Sequence, residues 1–190
     1  MQEIRETSDT QPRQHTAIST FSGGGGSSLG YRMAHFKVLW ANEFIAEAQH
    51  TYLANHPDTK LDRRDIRQID PLEVLQEVGL GVGDLDLLDG SPPCASFSVS
   101  GLVSEAWGRQ KIYSGKRQRT DDLFFEYIRF VDAMQPKIFI AENVQGMARG
   151  AAKGHFKMVM EALRACGYKV AVRELNAAQL GVPQVRRRLI

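Results

Sequence analysis

The chain has 190 residues, 43% of them hydrophobic and 24% charged, which suits one compact domain with a real core and excludes global disorder. Its 24 lysines and arginines against 22 aspartates and glutamates leave a net charge of +2, too small to identify a partner. No window approaches the roughly 18 apolar residues of a membrane span, and "MQEIRETSDTQPRQHT" lacks the basic-then-apolar order of a secretory signal, so an intracellular, cytoplasmic protein is expected.

Residues 1–16 are polar and aperiodic, and read as a loose leader whose removal should cost little; the domain is expected to run from Ala17 to Ile190. "AISTF" reads as a strand and is followed by a glycine turn, "FSGGGGSSLG". "FKVLWANE" is a strand candidate before the helical pattern "FIAEAQHTYLANH", and Asp65 in "RRDIRQ" falls near the end of the next expected strand. "LDLLDG" is a further strand, leading into "DGSPPCASFS" and a stretch from Val99 to Asp122 without periodicity, where "WGRQKIYSGKRQR" mixes aromatic and basic residues as binding loops do. Leu123, Tyr127, Phe130, Val131 and Met134 then recur at helical spacing and predict a buried stripe. The strand "KIFIAEN", the helix "HFKMVMEALRACG" and the strand "YKVAVREL" complete the order. Alternation of this kind predicts an α/β fold, a mainly parallel sheet flanked by helices.

An open parallel sheet holds its ligands at the carboxyl ends of its strands, where the glycine turn falls. The dinucleotide pattern GxGxxG is not met, because Ser28 stands where the third glycine is required. Glu43 lies twenty residues past Gly23, the distance at which such folds place an acid on ribose hydroxyls, so an adenosine ligand fits. A carboxylate at Asp65 is placed to accept from an exocyclic amine, although a solvated loop acid is the plainer alternative. Cys94 and Cys166 make no zinc or disulfide spacing, and both are expected as reduced thiols. Cys166, in a helical pattern, reads as a small buried hydrophobe. Cys94 differs: Pro92 and Pro93 stiffen the turn beyond a strand end and preorganise a thiol whose thiolate is a strong nucleophile. Glu142 ends an apolar strand, a setting expected to raise its pKa and let it donate a proton to a substrate ring. In "QVRRRLI", extended backbone would put Arg186 and Arg188 on one face and Arg187 on the other, with guanidinium donors suited to a carbonyl oxygen or phosphates.

Taken together, "FSGGGG", "ANE", "GSPPC", "AENV" and "QVRRR" resemble, in order, motifs of the cytosine carbon-5 DNA methyltransferases, over about Ala17 to Ile190. The resemblance implies the Rossmann-like methyltransferase sheet with S-adenosylmethionine (AdoMet) against Phe21, Ser22, Gly23, Gly25 and Gly26. Glu43 and Phe44 would meet its ribose side, Asp65 and Ile66 its adenine, with Pro93 and Leu123 alongside. By the same likeness Cys94 adds to ring carbon 6 of a flipped cytosine in double-stranded DNA, Glu142 bonds ring nitrogen 3 and the amino group, Arg188 binds the carbonyl oxygen, and Arg186 sits near the nucleophile. The stretch from Ala95 to Asp122 would close over DNA, with Ser96, Ser98, Arg109, Lys111, Lys116, Arg117 and Arg119 as its contacts. Two departures stand out. The family usually has an acid two residues before the first-motif phenylalanine, where this chain has Ser19; and its target-recognition region and closing motifs have no counterpart here, which implies a second polypeptide or a longer chain to supply them. An inactive AdoMet- or nucleic-acid-binding module and an RNA cytosine methyltransferase are the alternative readings.

Overall fold

The computed structural model describes residues 13–93, 111–113, 116–118 and 122–190. In chain order the elements are β1 (Thr16–Thr20), α1 (Gly26–Met33), β2 (Lys37–Asn42), α2 (Ala46–Asn55), β3 (Lys60–Asp62), α3 (Pro71–Glu77) and β4 (Leu87–Gly90). They are followed by the short strands β5 (Lys111–Tyr113) and β6 (Lys116–Gln118), then α4 (Leu123–Met134), β7 (Ile138–Ala141), β8 (Asn143–Val144), α5 (Lys153–Ala165), β9 (Glu174–Asn176) and β10 (Arg187–Leu189). Five strands pair in the order β3-β2-β1-β4-β7, every pair parallel. The chain order reverses direction at β1, so the β1/β4 junction is the topological switch point of the sheet, and its carboxyl edge is where a ligand crevice opens.

Parallel strands covered on both faces read as continuous apolar runs, which is why these strands were visible in the sequence. The helical stripe is buried along its whole length: Leu123, Tyr127, Phe130, Val131 and Met134 pack with Ile18, Trp40 and Leu88 in one cluster. Burying each such side chain contributes on the order of 1.5–3 kcal/mol. Tyr127 also fixes the sheet, its hydroxyl donating to the carbonyls of Leu88 (3.1 Å) and Ile140 (3.0 Å) on adjacent strands.

Two expectations differ from the structure. "YKVAVREL" forms a strand only over Glu174–Asn176, in a small antiparallel sheet of order β8-β10-β9. The alternation is real, since Val170 and Val172 pack against the core, but the ladder reaches back only to Arg173, which exchanges backbone hydrogen bonds with Ile190 (2.8 and 2.9 Å), and residues 168–172 lie in no strand. The other difference is at the start. Of the expected leader, residues 1–12 lie outside the described residues; in the remainder Thr16 opens β1, the Lys37 N–H donates to the His15 carbonyl at 2.7 Å, and Arg13 donates to the Asp84 carbonyl at 3.2 Å, so residues 13–16 are tied to the sheet.

Beneath the sheet, at its amino edge, Asp86 is buried and accepts from Lys137 Nζ (2.6 Å) and from the N–H (2.8 Å) and hydroxyl (3.2 Å) of Thr16. Burial alone would raise this carboxyl; the lysine and the Thr16 donors outweigh it and hold the group well below the usual carboxylate range. A depressed folded value stabilises the protein fully above the unfolded value and is lost as pH falls below it. Asp86→Asn is therefore expected to lower the melting temperature at pH 7, with the gap from the unmodified chain closing as pH falls below about 4, read by thermal melts across pH.

Candidate functional site

The site is built on the carboxyl edge, from the turns that leave β1, β2, β3 and β4. After β1 the chain must reverse sharply: Phe21, Gly23 and Gly25 all have positive φ (53°, 56° and 89°), and Gly25 caps α1. Glycine takes these angles freely, while Phe21 does so at a cost of order 1 kcal/mol, the kind of strain found at ligand turns. A methyl group on Gly25 would lie 2.3 Å from His56 Nε2, so the position also requires glycine sterically.

Glu43, just past β2, is buried and holds this turn. One carboxylate oxygen accepts the Gly23 N–H at 2.7 Å and the other the Ile45 N–H at 2.6 Å. Each oxygen keeps a second lone-pair direction for an incoming hydroxyl. Asp65, three residues past β3, caps the short helical turn 66–68 through the Arg67 N–H (3.0 Å) and pairs with the Arg67 guanidinium (3.0 Å), which also reaches Asp122 at 2.7 Å. The acid read from the sequence as open to a ligand amine thus already carries a cation.

These turns enclose a cavity of about 180 Å³, lined by Phe21, Asn42, Glu43, Phe44, Ile45, Asp65, Ile66, Ser91, Pro93 and Leu123. The chemistry of that lining fits an adenosine: a carboxylate with free lone pairs, a second carboxylate deeper along the edge, and the apolar faces of Phe21, Ile66, Pro93 and Leu123. Asn42, Ile45 and Ser91 were missed as lining residues; the first and last stood inside the quoted "ANE" and "GSPPC", where adjacency was the available signal. Ser22, Gly23 and Gly25 belong to the turn and Gly26 opens α1, and none of the four is in the cavity wall. A second cavity, about 280 Å³ and more apolar, lies between β7 and α5 against Phe139, Phe156, Leu163 and Val172, away from the turns.

At the same edge the Glu142 N–H donates to the Gly90 carbonyl (2.9 Å) and the Asn143 side chain to the Pro92 carbonyl (3.1 Å), tying the end of β7 to the turn that leads to Cys94. Glu142 is not in the apolar surroundings expected of it. Its Oε1 lies 2.9 Å from Arg188 Nε and 3.3 Å from Arg186 Nη2, while Arg187 turns away to Glu174 at 3.8 Å. β10 causes this arrangement: it pairs Arg188 with Val144 on β8, which brings Arg186 and Arg188 to one side.

Cys94, Ser96, Ser98, Arg109 and Arg119 lie outside the described residues. For Lys111, Lys116 and Arg117 the backbone lies in the antiparallel β5–β6 pair. Cys166 packs against the core with its Sγ 3.3 Å from the Ala162 carbonyl, and burial pushes its thiol up, as suits an inert cysteine. Among the described residues no group of His, Cys, Asp and Glu could hold a metal, and no helix is long and apolar enough to cross a membrane.

The chain is 35% identical over 98% of its length to the type II methyltransferase M.NgoPII of Neisseria gonorrhoeae, and 36% identical over 90% of its length to M.FnuDI of Fusobacterium nucleatum. It spans 50% and 44% of those two proteins, so about half the length of the curated relatives it matches. Among solved structures, an E. coli prophage protein assigned as a DNA modification methyltransferase superposes with a TM-score of 0.73 at 25% identity, over 92% of this chain and 45% of that one. The S. pombe Dnmt2 methyltransferase shares the fold with a TM-score of 0.67 at 20% identity, over 93% and 48%. The sequence profile of the C-5 cytosine-specific DNA methylases matches residues 15–190, which, with the parallel sheet and the carboxyl-edge site, establishes that the chain belongs to that family.

Proposed function

We propose that this chain is the AdoMet-binding catalytic half of a DNA cytosine-5 methyltransferase, acting on a cytosine flipped out of duplex DNA, with target recognition supplied by further polypeptide in the same or a second chain. The observation that carries the reading is that the Glu43-lined cavity and the Glu142–Arg186–Arg188 cluster stand at adjacent strand ends: Ser91 lines the cavity, and Gly90 before it accepts the Glu142 N–H at 2.9 Å. When bound in such a cavity, AdoMet supplies an electrophilic methyl group carried on a sulfonium. Glu43 would accept from its ribose hydroxyls, and Phe21, Ile66, Pro93 and Leu123 would exclude water from its base.

The chain's own residues then account for activation of the cytosine. The Cys94 thiolate adds to ring carbon 6, which makes carbon 5 nucleophilic; after alkylation a proton leaves carbon 5 and the thiolate is expelled, restoring the ring. Splitting a difficult carbon alkylation in this way is the ordinary advantage of covalent catalysis. Glu142 would bond ring nitrogen 3 and the amino group, and Arg188 the carbonyl oxygen, as charge develops on the ring. In the free protein these groups satisfy one another, so cytosine entry exchanges the Arg188–Glu142 contact for contacts to the base.

The test uses duplex DNA carrying 5-fluorocytosine with AdoMet, because fluorine cannot leave carbon 5 as the proton does. The chain, alone or with the carboxyl-terminal half of a relative such as M.NgoPII added, is expected to form a detergent-stable protein–DNA adduct, and Cys94→Ser none. Calorimetry should show binding of AdoMet and not of NAD. An adduct that survives Cys94→Ser, or NAD binding in place of AdoMet, would refute the assignment.

A further inference from the structure

Asp89, the third residue of β4, is a buried carboxylate to which the mechanism above gives no task. It sits at the switch point: Ser19 of β1 is its register partner and donates to Oδ2 at 2.9 Å, Ser27 in the first turn of α1 donates to the same oxygen at 2.8 Å, and Tyr31 donates to Oδ1 at 2.9 Å. Three O–H donors to one group favour its ionised form, yet none carries a charge, and among the described residues no lysine, arginine or histidine pairs with it. Burial opposes the donors and pushes the carboxyl up, and the charge of Glu142 adds to that rise, so Glu142 lies within electrostatic reach. A buried anion left without a counter-ion is costly unless a cation arrives.

The surroundings indicate where a cation would arrive. Ser91 and Phe21, each two residues beyond a member of this network and so at most about 7 Å further along the backbone, line the cofactor cavity. Glu142 marks the substrate side. A methyl donor that bridged cavity and substrate would carry its sulfonium between them, near the end of β4, where Asp89 lies behind Ser91. We propose that Asp89 is the fixed anion by which this fold favours a cationic sulfonium ligand over the neutral thioether left after methyl transfer, a specificity role that rests on the AdoMet reading above. The hydroxyl trio holds the charge in place, and the low dielectric around it leaves the charge weakly screened.

The readout is a ratio, the dissociation constant of S-adenosylhomocysteine divided by that of AdoMet, measured by calorimetry on the full chain. Ligand shape and pocket integrity affect both constants, so the ratio isolates charge. Asp89→Asn is expected to lower the ratio about tenfold, the order produced by one unit charge about 10 Å away at an effective dielectric of about 20. Tyr31→Phe removes one hydrogen bond but keeps the charge and should leave the ratio unchanged. If Asp89→Asn does not melt as a folded protein, Asp89→Ser, small and able to join the hydroxyl network, is measured with the same expectation. An unchanged ratio in the neutral variant, or an equal fall in Tyr31→Phe, would overturn the proposal. Failure of the unmodified chain to bind either ligand would instead overturn the AdoMet reading, and this inference with it.

Discussion

Replacing Glu43 by alanine is expected to lower the melting temperature by about 10 °C and to abolish measurable AdoMet binding. The first effect follows from the two backbone N–H groups that the carboxylate serves, Gly23 at 2.7 Å and Ile45 at 2.6 Å. Hydrogen bonds to a charged group contribute about 1.5–3 kcal/mol each, and in a domain of this size each kcal/mol corresponds to roughly 2–4 °C. The second effect follows from the turn itself. Gly23 holds its left-handed angle against the end of β2 through this carboxylate, and without it the turn loses the anchor that shapes the cavity wall. Glu43→Gln makes the sharper comparison. Its carbonyl oxygen can keep one of the two N–H donors, but its amide nitrogen must then face the other, donor against donor, so glutamine should recover less than half of the alanine deficit. A glutamine variant that melts and binds like the unmodified chain would mean that the carboxylate is a bystander at this turn.

What the sequence revealed of the fold follows from which interactions leave a local trace. β1, β2, β4 and β7 are apolar runs because helices cover both faces of the sheet, and the stripe on α4 is periodic because one face meets that sheet. α1 left no such trace. Its sequence, GSSLGYRM, buries only Ser28, and it is held by polar contacts across the chain: Ser28 with Tyr52 at 2.9 Å, and Ser27 and Tyr31 with Asp89. Periodicity cannot report a helix fixed by hydrogen bonds to residues more than twenty positions away. α3 was missed for a different reason, since its signal was present: Asp70 accepts the Leu72 N–H and Pro71 opens the first turn, the capping grammar of a helix start.

At the site, the residue types were legible and their mutual contacts were not. Glu43, Asp65, Ile66, Pro93 and Leu123 do line one cavity. The ion pairs of Glu142 depend on β10 folding back beside β8 from more than forty residues away, and no local pattern records that. The same limit hid Asp89, which reads in sequence as one more acid before a glycine and acquires its meaning only from the three hydroxyls gathered around it.

The glycine turn yields the other large effect. Gly25→Ala is expected to destabilise the protein by about 2–5 kcal/mol, a fall in melting temperature of roughly 4–20 °C, for two separable reasons. One is the backbone: at φ 89° a Cβ is strained whatever the space around it. The other is His56, a buried side chain whose Nε2 would lie 2.3 Å from the new methyl group. That nitrogen now donates to the Gly25 carbonyl at 2.9 Å, since a carbonyl can only accept, and Nδ1 faces the Arg32 guanidinium at 3.3 Å as the acceptor. The ring is therefore held from both sides, and moving it aside would break both contacts. Removing it tests the partition. In Gly25→Ala/His56→Ala the clash with the ring vanishes, while the backbone part and a close 3.0 Å approach to Tyr52 Cδ2 remain, so the deficit of the double variant should be smaller than the sum of the two single deficits by about 1–3 kcal/mol. Strict additivity would assign the whole cost to backbone strain and leave His56 as a mere neighbour of the turn, whereas a double variant as stable as His56→Ala alone would assign it all to the clash.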